Sequence, residues 1–289
     1  MKLMSALLAL FSVVGGAYGK LFPHVALGGA GEEFEYRLVV QISNVTSSRL
    51  EGDVVLLPSD PRRSIWPGEW AVNGEDQTGK AAYLVSEIPP HGSVVLTITG
   101  GEDLHTGALL IHTENSWNRN AGGISANVIY QVLRDGALID TVGVPHNAYH
   151  PTQNEVIVLP VSRKSGEHNT GFGFVLMGGS HRHLDGHHND VLVDLYDNEG
   201  SRLGGIRYRF NSPNPGVDHF HLARFVDEAF AQHVETDADF ETVTKEEFVG
   251  TLHIQSRYGS SLSAIGLCLD WLEGGSIQFT SLPISTYRE

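Results

Sequence analysis

The feature that most constrains this chain is that it repeats itself. GALLIHTE from Gly107 matches GTLHIQSR from Gly250, ISANVIYQV from Ile124 matches LSAIGLCLDW from Leu262, and TVGVP from Thr141 matches TSLPI from Thr280. Near the start of each half, LVVQISN from Leu38 corresponds to FVLMGGS from Phe174. A unit recurring after about 140 residues is the size of a domain, so the two halves are expected to share one fold. The join is expected in PHNAYHPTQNE, Pro145 to Glu155, which sets one domain at 20–147 and a second at 155–289.

The period of the apolar residues says what each half is. Phe34, Tyr36, Leu38, Val40 and Ile42 alternate with polar or outward positions, as do Ile124, Ala126, Val128, Tyr130 and Val132, and Val191, Val193 and Leu195. Period two is the mark of a half-buried strand. Breaks rich in Gly, Pro, Asn and Asp separate these runs. Together they predict an all-β chain of two tandem Ig-like β-sandwiches. One short capping helix is expected on the second, in HLARFVDEAFAQH (221–233), where Leu222, Phe225, Val226, Ala229 and Phe230 form a stripe at helical spacing and Asp218 would cap the start. The acid-rich stretch after it, 234–248, reads as a solvated insertion. YDNEG (196–200) and the segment around Asp135-Gly136 read as hairpin turns.

Residues 1–19, MKLMSALLALFSVVGGAYG, place one lysine before an apolar run too short to cross a bilayer comfortably, then small residues. That is the layout of a cleavable signal peptide. The mature chain is therefore expected to begin near Lys20 and to be secreted, periplasmic or held at the cell surface, with no membrane span. Exported chains often carry paired cysteines, but this one has a single cysteine, Cys268, so an intrachain disulfide is excluded. Its place in the apolar run SAIGLCLDW reads as a small buried hydrophobe. The formal net charge of −15 repels phosphate backbones and excludes nucleic acid as a partner.

Leu21-Phe22-Pro23 with Gly28-Gly29, VVQISN, IPPHGSVVL and TVGVP in the first half, and TGFGFVL, VDLYDNEGSRLG, LARFVDEAF, FVGTLHIQS and FTSLPIS in the second, carry a resemblance that covers nearly the whole mature chain. The chain resembles a group of uncharacterised exported bacterial proteins with two tandem Ig-like β-sandwich domains. The resemblance implies a fold and a location, and it implies no chemistry. The His-rich segment 178–190 and the acidic insertion depart from the pattern.

Candidate sites are few. GGSHRHLDGHHND, Gly178 to Asp190, reads as a hairpin tip whose His181, His183, Asp185, His187, His188 and Asp190 offer a nitrogen and oxygen shell suited to zinc or another divalent transition metal such as copper or nickel. Its plainer reading is a polar loop. His219 and His221 alternate with Phe220 and Leu222 and would share one side of a strand; they could join that shell but are read, like His146 and His150 at the junction, as hydrogen-bonding at surface or interdomain contacts. Trp66, Trp70 and Trp117 lie in loop-like segments and could stack on sugar rings, although loop aromatics more often plug a core. No G-x-S-x-G elbow, H-E-x-x-H motif or phosphate-cradling loop occurs. The expected function is a noncatalytic structural or binding protein whose partner is an unknown extracellular protein or glycan, with self-assembly through strand edges left open. Metal binding and carbohydrate binding are the alternatives.

Overall fold

A computed structural model describes residues 20–30, 34–59, 69–77, 82–113, 123–146, 155–177, 189–210, 219–231, 247–257, 261–272 and 277–288. The first half holds β1 (Lys20–Ala30), β2 (Phe34–Asn44), β3 (Leu50–Pro58), β4 (Glu69–Val72), β5 (Glu75–Gln77), β6 (Ala82–Ile88), β7 (Ser93–Thr99), β8 (His105–Thr113), β9 (Ile124–Arg134) and β10 (Ala137–Val144). The second holds β11 (Glu155–Lys164), β12 (His168–Met177), β13 (Asn189–Asp197), β14 (Arg202–Phe210), β15 (His219–Phe225), helix α1 (Val226–Ala231), β16 (Glu247–Ser256), β17 (Ser261–Trp271), β18 (Ile277–Leu282) and β19 (Ser285–Arg288). The described residues are all-β with one short helix, and none of their helices is long and apolar enough to cross a membrane.

The halves are built alike. In the first, β1-β8-β3-β6 form one layer and β5-β4-β7-β2-β9-β10 another, joined where β1 turns into β2. In the second, β11 stands in the place of β1, giving the layers β14-β13-β16-β11-β19 and β15-β12-β17-β18. The repeated sequences occupy matching strands: Gly107 and Gly250 pair with Val25 and Val161 within the β8 and β16 ladders. Leu38 and Phe174 are both fully buried on the central strands β2 and β12. Counted from the hairpins, which close at Ala30–Phe34 and Lys164–His168, the residue in Leu38's place is Phe172, two positions earlier. A two-residue offset keeps the same face, which is why a sequence alignment tolerates it.

The inward residues of each half close on their own core. Leu38, Val40 and Ile42 of β2, with Leu96 and Ile98 of β7, meet Val54, Leu56, Leu109 and Ile111 of the facing layer. Phe172, Phe174 and Leu176 of β12 meet Leu159, Val193, Leu252 and Ile254 in the second half. The turns form as expected: Asp135 and Gly136 both have positive φ (52° and 74°), the conformation a two-residue hairpin requires, and Gly200 does likewise (83°) while the Asp197 carboxylate accepts the N–H groups of Glu199 and Ser201.

Two expectations change. The stretch expected as one helix over 221–233 is split: residues 219–225 pair with β12 as strand β15, and only Val226–Ala231 is helical. The apolar positions Leu222 and Phe225 satisfy a helical stripe on paper, but the unpaired edge of β12 offers seven residues of ladder bonding, which outweighs local propensity. Asp218 lies outside the described residues. The helix carries Val226, Ala229 and Phe230 into the second core. Its Asp227 instead binds Arg163 and Asn169, fixing the helix to the β11–β12 hairpin.

The second change concerns the space between the halves. Two separate interiors are expected from alternation, but the outward faces of two layers also meet. Leu21, Leu57 and Ala108, on the outer side of the β1-β8-β3 layer, pack with Val175 of β12, with Val55, Leu110 and Met177 around them. Ile265 of β17, on the same side as Val175, is fully buried with the first-half cluster, and Leu267 and Phe279 pack against it. At the rim, the Phe279 N–H donates to the Asp140 carboxylate at 2.7 Å, which satisfies a donor on the free edge of β18.

Candidate functional site

The docked faces hold the densest polar network between the halves, and its position follows from local sequence. β1 bulges between Phe22 and Val25, so Pro23 and His24 together oppose Ala108. Proline, without an N–H, suits a position where ladder bonding is interrupted. The bulge turns the His24 ring toward the second half, where β15 alternation puts Phe220 into the core and His219 and His221 on the opposite side. The rings of His24 and His221 lie with centroids 5.2 Å apart and planes 9° from parallel, and His24 Nδ1 is 3.1 Å from His221 Nε2. His221 Nδ1 lies 2.6 Å from Ser59 Oγ, which donates to the Thr106 carbonyl at 2.7 Å. His219 Nε2 is 2.9 Å from the Pro58 carbonyl, and Tyr130 Oη donates to the His24 carbonyl at 2.7 Å.

Burial sets the electrostatics here. Loss of water lowers His24 to about 4. His221 is pushed well below the usual imidazole range, first by burial and then by the positive charges that His24, His219 and Arg224 would carry. Both rings are therefore neutral at neutral pH. Among the described residues no group of three or more metal-ligating side chains converges, and His219 and His221 are committed to hydrogen bonds across the interface.

The other expected site residues fall in two groups. His181, His183, Asp185, His187 and His188 of the His-rich tip, and Trp66 and Trp117, lie outside the described residues. The remaining two are described. Asp190 is 1% exposed on β13, where its carboxylate accepts hydrogen bonds from Arg207 and lies 3.4 Å from Arg209 Nε. Two guanidinium groups occupy the lone pairs a metal would need, so Asp190 serves as an anchor of the β13–β14 hairpin. Trp70 is 1% exposed on β4, packed in the first core, so neither face of its indole is open to a sugar.

The two remaining special residues are settled by their surroundings. Burial pushes the Cys268 thiol up to about 11, and Asp270 beside it adds to the effect, so the thiolate needed for reaction is scarce. Asn44, in an Asn-Val-Thr triplet that matches a glycosylation acceptor, is buried, with its Nδ2 donating to the carbonyls of Ser48, Ile88 and Pro89. It ties the β2 end to the turn that follows β6.

A second cluster missed by sequence reading sits on the opposite face of the second half, the outer side of β13-β16-β11-β19. The His253 ring lies 4.3 Å from Tyr196 and 5.8 Å from Tyr287, with His253 Nδ1 3.1 Å from Tyr287 Oη. Asp194, opposite His253 across the ladder, holds Arg202. Asp194 and Tyr196 are direct and diagonal cross-strand neighbours of His253, and Tyr287 of β19 reaches it over β11, relations visible only once register is known.

The chain matches no protein-family model, no curated protein and no solved structure.

Proposed function

We propose that this is a secreted or cell-surface protein without catalytic activity, a structural or binding module in which two Ig-like β-sandwiches act as one body. The observation that carries this reading is the apolar layer between the halves, with Leu21, Leu57, Ala108 and Val175 at its centre. Tandem domains joined by a polar linker alone move independently, whereas a dry sheet-on-sheet contact fixes their relative position. A fixed pair of sandwiches suits holding or presenting end loops to an extracellular protein or glycan. The polar groups between the halves support the same reading, because each is spent on a structural bond.

The experiment pairs a turnover screen on broad hydrolase substrates with glycan-array and extracellular-protein binding on the purified chain. Binding without turnover is the expected result. Turnover that disappears with a single carboxylate substitution overturns the reading. Tight zinc or copper uptake by metal-free protein in calorimetry would move the function to the His-rich tip and its five other candidate ligands, His181, His183, Asp185, His187 and His188.

A further inference from the structure

We propose that His24 and His221 form an acid-sensitive latch that holds the two halves together while both rings are neutral and loosens their contact when protons arrive. The inference starts from hydrogen positions. With Ser59 Oγ donating to the Thr106 carbonyl, its remaining capacity is to accept, so His221 Nδ1–H donates to it. His221 Nε2 is then an acceptor, and His24 Nδ1–H donates to it. The chain His24 to His221 to Ser59 to Thr106 has one proton in each gap and runs from β1 across the interface and back to β8.

Protonation of His221 puts a second hydrogen into the 3.1 Å gap between the rings, where two donors then face each other. Protonation of His24 on its other nitrogen preserves the gap but places a cation in a part-buried contact. Among the described residues no carboxylate acts on either charge. The titratable and charged groups acting on the pair are His219 and Arg224 of β15, both of which oppose added positive charge, and Tyr130 of β9, whose hydroxyl is turned to the His24 carbonyl. The neighbours supplied by β8, β12 and β17 and by the residue after β3 are Thr106, Gly173, Ile265 and Ser59, all uncharged.

The rings cannot simply back away within the closed structure. A Cβ at Gly173 would stand 3.1 Å from His24 Cβ and 3.3 Å from its Cγ, so the β12 backbone already lies against the imidazole. Relief of the added charge comes from separating the faces, which also exposes Val175 beside Gly173. The sign follows from linkage: the rings titrate lower when closed than when open, so docking is at full strength above the ordinary imidazole range and weakens as pH falls from about 6.5 toward 4. Each ring contributes up to about tenfold per pH unit to the opening constant in that window.

The test uses the full chain with Cys268→Ser and Val175→Cys, read by its rate of reaction with a dipyridyl disulfide from pH 7.5 to 4.5 and corrected with an unstructured thiol peptide. A second chain with Cys268→Ser and Val193→Cys reports global unfolding from inside the second core. The expected result is an opening constant at position 175 that rises at least tenfold between pH 6.5 and 5 while position 193 stays protected. Adding His24→Asn and His221→Asn should flatten the rise, whatever the opening constant at neutral pH. A flat profile at 175 in the parent, or an equal rise at 193, overturns the latch. Ring nitrogen NMR supplies a check without substitution: both rings should remain neutral at pH 6, and titration of both near 6.5 would refute the proposal.

Discussion

Two histidine clusters lie on opposite faces of the second half, and they behave differently because of what covers them. His221 looks inward to another layer, is 6% exposed, and is held by His24 and Ser59. His253 looks outward from the far layer, beside a Tyr287 that is 42% exposed, and rests on Tyr196 and Tyr287. The same residue type, each on an antiparallel strand, becomes a buried neutral linker in one place and a surface cross-strand contact in the other. The lesson is that alternation assigns a side chain to a face, while the tertiary contact of that face assigns its role.

Substitutions that break this comparison should rank by how completely the affected face is covered. Val175→Asp puts a charge into the dry layer between the halves and is expected to cost about 4 kcal/mol or to separate them, read as a lower denaturant midpoint or an enlarged radius of gyration. Asp190→Ala leaves Arg207 and Arg209 without their buried acceptor; since both arginines are half exposed, a loss of about 2 kcal/mol is expected from denaturant unfolding. Gly173→Ala brings a methyl to 3.1 Å from His24 Cβ and 3.3 Å from its Cγ and should cost about 1 kcal/mol in denaturant unfolding, relieved only in part when His24→Ala is combined with it, since the Cβ remains. His253→Ala, on the solvent face, should cost about 0.5 kcal/mol, with no change in the pH dependence of docking. A larger effect at His253 than at Val175 would invert the comparison.

Much of the fold could be read from the residues. The alternation of Leu38, Val40 and Ile42 is the alternation of buried positions in β2, and the Asp135-Gly136 and Asp197-to-Gly200 turns sit where their residue types require. The site was less legible. The unbroken run GFGFVLM carried a signal, because a strand covered on both faces loses its polar alternation, and β12 is buried along Phe172 to Leu176. Asp190 gave no such signal, since its arginine partners stand 17 and 19 residues away and reach it only through the β13–β14 register. Leu222 and Phe225, three apart, share a face only in a helix, yet the vacancy beside β12 drew both into a strand.

By itself, then, the sequence determined the alternating strands β2, β9 and β13 with their inward sides, the turns at Asp135-Gly136 and Asp197-to-Gly200, and the duplication of one unit, because backbone dihedrals and side-chain period are local properties of neighbouring residues. Only the tertiary structure decided which outward faces would be covered, that Trp70 and Asp190 would be sealed in, and that His24 would meet His221 across 197 positions of chain. Those outcomes depend on surfaces meeting through space, and the free energy of covering a face is carried by both partners together rather than written in either strand.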